Sequence, residues 1–259
     1  MRLLVVALLG LTLISVPEEI QAGHEANAKM KREFVQVQDA VVTGYVKRLG
    51  ARLARSARGP TYPYSFTVAD YREINAFALP GGPIWINRGV LHAATNESQV
   101  AGVLAHEIAH VSERHAARQL TNGAFANWGL GLLSSMLGNA GGAVTARNAA
   151  TAMTGGIFLK FSRDDEREAD RVGLQILRRA GWDGRGMVEL FELLRREQKR
   201  DPAAVEIFFS THPSPEQRIR ELRSAVARDP GGRRDSREFQ QVKARALKLP
   251  PPHRMPVPK

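Results

Sequence analysis

No cysteine occurs among the 259 residues, so disulfides, thiolate-bound metals, a cysteine nucleophile and a lipid anchored on cysteine are all excluded. Long apolar runs are scarce too. The one candidate, Leu3 to Val16, falls short of the ~20 residues that a spanning helix needs, so nothing points to a chain built from several membrane spans. Aromatic residues are only 7% of the chain and do not gather on a basic face, which removes the stacking platform of a single-strand nucleic-acid binder. What remains has ordinary globular composition, with 43% hydrophobic and 24% charged residues and a formal charge of +11. Much of that charge is terminal: residues 227–259 hold nine Lys/Arg against three acids, a local net of +6, and six of the fourteen prolines. Such a stretch reads as a solvated tail, disordered over 229–259. It leaves room for peripheral association with anionic lipid, and no nucleic-acid partner is expected.

Residues 1–22 read as a secretion leader. Arg2 precedes the apolar run, Pro17 breaks it, and Ala22 supplies a small residue at a cut site; the alternative is an uncleaved anchor. Both readings put the body of the chain in the periplasm or cell envelope. Within that body, 23–228, the apolar spacing predicts helix over 24–56 with a break near Gly44, then three short strands at 64–68, 74–79 and 83–87. Pro83 cannot donate a ladder hydrogen bond, which favours an edge for the third strand. Helices follow at about 97–120, 162–179, 186–196 and from 215 or 216 to 226. Between Arg118 and Arg147 no charge occurs; this stretch is expected to be a buried helical pair over the core, with a mobile lid or a membrane-dipping hairpin as the other readings. Strands followed mainly by helices define an α+β domain with a small sheet.

The informative run is His106-Glu107-Ile108-Ala109-His110. Residues i and i+4 of a helix share a face, so both imidazoles can address one ion, and Glu107 stands where it can take a proton from a water activated there. The apolar residues Val103, Leu104, Ile108 and Val111 bury this helix. A catalytic zinc needs a third protein ligand. A third histidine shortly after the motif is lacking, since Glu113 and Ala116 stand where the extended form requires glycine and histidine. The acidic cluster Asp164-Asp165-Glu166-Arg167-Glu168-Ala169-Asp170 is the best source; Glu166 and Asp170 share a helical face, and spacing alone gives Glu166 only a narrow preference. A salt-bridged solvent helix is the competing reading of that cluster.

The chain resembles the zinc metallopeptidase family of the CAAX prenyl protease, HtpX and BepA. Four blocks carry the resemblance in order: Asn75 to Gly82, His106 to His110 followed by Arg114-His115, Ser162-Arg163 with Glu166 and Asp170, and Thr211-His212-Pro213. It spans about Gly23 to Arg223. The resemblance implies a mainly helical, zincin-like (gluzincin) domain whose small mixed sheet borders the active-site cleft with an edge strand. It implies one Zn2+ per chain held by His106, His110 and Glu166, with Asp170 orienting a ligand histidine. It further implies that the strand Pro83, Ile84, Trp85, Ile86 and Asn87 aligns an extended polypeptide substrate by β-addition. His212 becomes a histidine near the metal, either inhibitory or polarising the substrate carbonyl, and Arg218 an assistant near the oxyanion. His115 is expected to be structural.

On this reading Glu107 is the general base of a zinc metalloendopeptidase acting on misfolded or envelope proteins. Two rivals stand beside it: a zinc-containing chaperone or assembly factor without proteolysis, and a basic-tail membrane or nucleic-acid binder with a structural metal.

Overall fold

The computed structural model describes residues 12, 14–121, 160–212, 215–229 and 231–256. Most of the leader and of the uncharged stretch after Arg118 thus lie outside the described residues. Among those described, no helix is long and apolar enough to cross a membrane.

The first helix starts earlier than its apolar spacing predicts. α1 (Val16–Glu33) is opened by a capping box: the Ser15 hydroxyl accepts from the Glu18 amide, and the Glu18 carboxylate accepts from the Ser15 amide. It runs unbroken across Ala22 and Gly23, and its Glu19 is buried, accepting from the Tyr62 hydroxyl at 2.8 Å and the Arg114 Nε at 3.0 Å. The break between the first two helices falls at 34–39, not at Gly44, because Asp39 caps a fresh start by accepting from the amides of Val41 and Val42. α2 (Ala40–Ala54) then buries Val42, Tyr45, Val46, Leu49 and Leu53.

Three strands form one mixed sheet in the order β1-β3-β2. β1 (Ser65–Ala69) runs parallel to β3 (Pro83–Asn87), and β2 (Ala76–Ala78) runs antiparallel to it. The third strand is therefore central and wholly buried, which corrects the expectation that Pro83 to Asn87 is an edge. Pro83 is tolerated because it is the first residue of the strand, where its missing N–H costs no interior rung. The β2–β3 turn needs Gly81, whose φ is 69°; a Cβ there would come within 2.4 Å of the Ile20 Cα of α1.

α3 (Arg88–Ala93) leads to α4 (Glu97–Ser112), capped by Asn96 and buried along its whole length. α5 (Arg163–Arg179) crosses α4 closely at Gly173, where a Cβ would lie 3.1 Å from both the Ala105 carbonyl oxygen and the His106 Cα. That close approach brings the acidic first half of α5 onto the histidine face of α4. α6 (Arg185–Arg200), α7 (Glu206–Thr211) and α8 (Pro215–Val226) complete the layer around it.

The described C-terminal residues, 231–256, are ordered, against the tail expected from their charge. α9 (Arg237–Lys248) is capped by Ser236 and sends Phe239, Val242 and Ala246 into the main core. Its arginines and Lys248 stay exposed, with Arg245 on Asp39, while Lys243 is half-buried and donates to the Ala94 carbonyl, so a basic composition coexists with a buried face. Beyond it the chain lies along the sheet, His253 exchanging backbone hydrogen bonds with Asp70 and Arg72, and Met255 entering a second cluster with Trp85 and Phe77. Phe239→Ala is expected to cost about 3–5 kcal/mol, seen as a lower urea midpoint. A tail that was merely solvated would leave the midpoint unmoved.

Candidate metal centre

His106 and His110 stand one turn apart on α4, with their Nε2 atoms 3.1 Å from each other. Glu166 of α5 faces both, Oε2 at 3.6 Å from His106 Nε2 and Oε1 at 3.3 Å from His110 Nε2. His212 caps α7 and turns in, its Nδ1 2.8 Å from Glu166 Oε1. All four residues are buried, and one donor atom from each lies within 4.8 Å of the others. The set fits a divalent metal. Two nitrogens bound to zinc at 2.0–2.1 Å in a tetrahedron sit about 3.3 Å apart, close to the spacing of the two imidazoles. The fit also explains an otherwise poor arrangement, in which both Glu107 oxygens are buried without a well-formed hydrogen bond.

The surroundings orient the donors. Asp170 Oδ1 lies 3.1 Å from His106 Nδ1, so the ring proton belongs on Nδ1 and Nε2 is free for a metal. Arg218 grips Asp170 through two hydrogen bonds, Nε to Oδ2 at 2.6 Å and Nη2 to Oδ1 at 2.7 Å. Its Nη1 lies 2.5 Å from Glu166 Oε2, and its guanidinium rests on the Phe191 ring. Every nitrogen of the group expected near an oxyanion is therefore turned to the two carboxylates. Phe161, just before the α5 cap, stacks on His110 with ring centroids 3.9 Å apart.

Electrostatics follow from burial and these partners. Burial raises the Glu107 carboxyl above its ordinary value, while His212 and His106 oppose the shift. For Glu166, burial is outweighed by His212 and Arg218, which hold it far below the usual carboxylate range. Burial also works against a charged His106, but Asp170 and Glu166 prevail and push it up to about 9. His110 is driven well below 6.5, by burial first.

The structure brings together His106, Glu107, His110, Glu166, Asp170, His212 and Arg218, all expected at the site. It does not bring β3 to the site with a free edge. β2 is the edge strand next to Glu107: Asn75 and Leu79 bond to β3 through their backbones, so the backbone groups of Ala76 and Ala78 point the other way. The Ala78 amide is among the dipoles favouring an ionised Glu107. Phe161 escaped the sequence reading as a neighbour of the site; His115 was expected to be structural, but its contact with His110 was not foreseen. The apolar residue just ahead of Ser162 was the available signal for Phe161; for His115 there was none beyond the Arg114-His115 pair.

A buried helix bearing two histidines and a glutamate, joined by a distal glutamate from a second helix and flanked by a small mixed sheet, defines a zincin-like metallopeptidase. The profile of Peptidase family M48 matches residues 40–226, and the chain belongs to that family. It is 33% identical over 241 residues to the beta-barrel assembly-enhancing protease of Escherichia coli K12, covering 90% of this chain and 49% of that protein. It is also 33% identical over 180 residues to the mitochondrial metalloendopeptidase OMA1 of Schizosaccharomyces pombe, covering 70% of this chain and 52% of the relative. The chain spans about half the length of these relatives.

Proposed function

We propose that the chain is a zinc-dependent endopeptidase of the periplasm or cell envelope that cleaves misfolded or envelope polypeptides bound in extended form. The observation that carries this reading is Glu107: a carboxylate wholly buried beside the ligand pair, with no well-formed hydrogen bond and His212 Nε2 3.7 Å away. A purely structural metal needs no such group, and an unsatisfied buried carboxylate is costly to keep. Zinc held by His106, His110 and Glu166 would polarise a carbonyl and lower the pKa of water to about 7. Glu107 accepts the proton as the scissile carbonyl is attacked, then delivers it to the leaving amine. Asp170 keeps His106 in the ligating tautomer, and Arg218 fixes Asp170. The substrate strand pairs with the outward backbone of Ala76 and Ala78 on β2, which takes the role first given to β3. An N-terminal segment that serves export and stays attached as an uncleaved anchor, since α1 runs unbroken across Ala22 and its Glu19 holds Arg114, and the name of the E. coli relative support the envelope location; the surplus basic charge supports peripheral contact with anionic lipid.

His212 is the fourth donor of the cluster, and a shell of four protein donors is closed, whereas catalysis needs an open position. His212→Ala is therefore expected to raise cleavage several-fold over the parent. Loss of cleavage in that variant would instead give His212 a role in polarising the carbonyl. The decisive test measures metal content and degradation of an unfolded protein by the parent and His212→Ala. One bound zinc and cleavage by either supports the reading. One bound zinc with no cleavage by both leaves the chaperone, and no metal overturns the assignment.

A further inference from the structure

His115 is a buried imidazole that the catalytic reading leaves without a task. At a strict 100° per residue, a side chain five positions after His110 would point about 140° away from it. The chain departs from that path at Arg114, whose φ of 58° lies in the left-handed region that few non-glycine residues adopt. The Arg114 guanidinium is held on three sides, donating to the Glu19 carboxylate at 3.0 Å, the Thr12 hydroxyl at 2.9 Å and the Ile14 carbonyl at 2.5 Å. The reversal turns His115 back beneath the ligand helix, where its Nδ1 lies 2.8 Å from His110 Nδ1.

Proton bookkeeping then fixes the roles. His110 offers Nε2 to the metal cluster, so its proton is on Nδ1 and is donated to His115. His115 Nδ1 must accept, which puts its own proton on Nε2, 3.2 Å from Glu168 Oε2. Glu168 is in turn held by Arg118 Nη2 at 2.6 Å, and Asp165 lies 3.3 Å from the same nitrogen. His106 is steadied by a carboxylate directly; His110 has none at its Nδ1 and is reached through this second ring.

We propose that His115 is a positioning residue for the metal centre, fixing the rotation and tautomer of His110 by accepting its Nδ1 proton, with Glu168 and Arg118 as its anchor. The proposal rests on His110 being a ligand.

The test uses the full chain and zinc alone, with affinity from chelator competition, the rate of zinc release, and thermal unfolding with and without zinc. His115→Leu keeps the bulk and loses the acceptor; His115→Asn keeps an amide oxygen near the place of Nδ1. Affinity is expected to fall roughly 10- to 100-fold for His115→Leu, with faster release, and to stay within about threefold for His115→Asn. Glu168→Gln is expected to fall between them. Equal losses of stability with and without zinc, at unchanged affinity, would reduce His115 to packing and overturn the proposal. Where His115→Leu does not fold, Glu168→Gln decides: zinc affinity and release within about twofold of the parent overturn it. A parent that binds no zinc overturns the metal-centre reading itself, while a tight-binding parent matched by His115→Leu overturns this proposal alone.

Discussion

Replacing Glu107 by glutamine is expected to leave zinc in place and to lower cleavage of an unfolded protein by a factor on the order of 10² to 10⁴. The two halves of this expectation have separate causes. Glu107 is not among the four clustered donors, so its loss removes no ligand. On the proposed mechanism its carboxylate is the proton acceptor next to them, and an amide of the same shape cannot take the proton. The variant should also be at least as stable as the parent, because a buried carboxylate with no well-formed hydrogen bond becomes neutral. Metal content, peptide release and thermal midpoint measured on one preparation check all three. Undiminished cleavage would remove Glu107 from the chemistry.

A second large effect is expected at Arg218, on stability. Its guanidinium is buried against Asp170 and Glu166, themselves buried. Removing one partner of such a group leaves uncompensated carboxylates, at a cost of about 3–5 kcal/mol. Arg218→Met in the zinc-free protein should show this in full as a lower urea midpoint. Adding zinc should restore part of it, since a cation then faces Glu166. The double variant Arg218→Met, Asp170→Asn should lose less than the two single losses combined, because each removes the same interaction. An Arg218→Met protein as stable as the parent would mean that the guanidinium serves the substrate and not these two acids.

The parts of the site that the sequence displayed are those set by local geometry. His106 and His110 at i and i+4 on an apolar helix permitted one outcome, and Glu166 and Asp170 at the same spacing share a face for the same reason. Which carboxylate reaches the ligand pair depends on the crossing at Gly173, a contact between segments far apart in the chain; the family resemblance supplied it where spacing did not. Errors arose where a local rule met a long-range cause. Pro83 argues for an edge only inside a strand, and its position as first residue frees it to start the central one. The proline and arginine content after Ala227 hid the spacing of Phe239, Val242 and Ala246, which is that of a helix with one buried face. The contact of His115 with His110 was illegible because it depends on a left-handed Arg114 whose partner Glu19 stands 95 residues away.

The docking of α9 and of the strand-like stretch around His253 bears on how the protein is to be handled at the bench. A recombinant fragment trimmed to the family boundaries, 40–226, would strip Phe239 from Tyr45 and Met255 from the Trp85 cluster. The same cut also removes α1, with Asn27 that bonds Trp85 and Glu19 that bonds Arg114, so greasy surface would be bared on several sides, inviting precipitation. Affinity tags are better joined past residue 256, and limited proteolysis should stop short of α9.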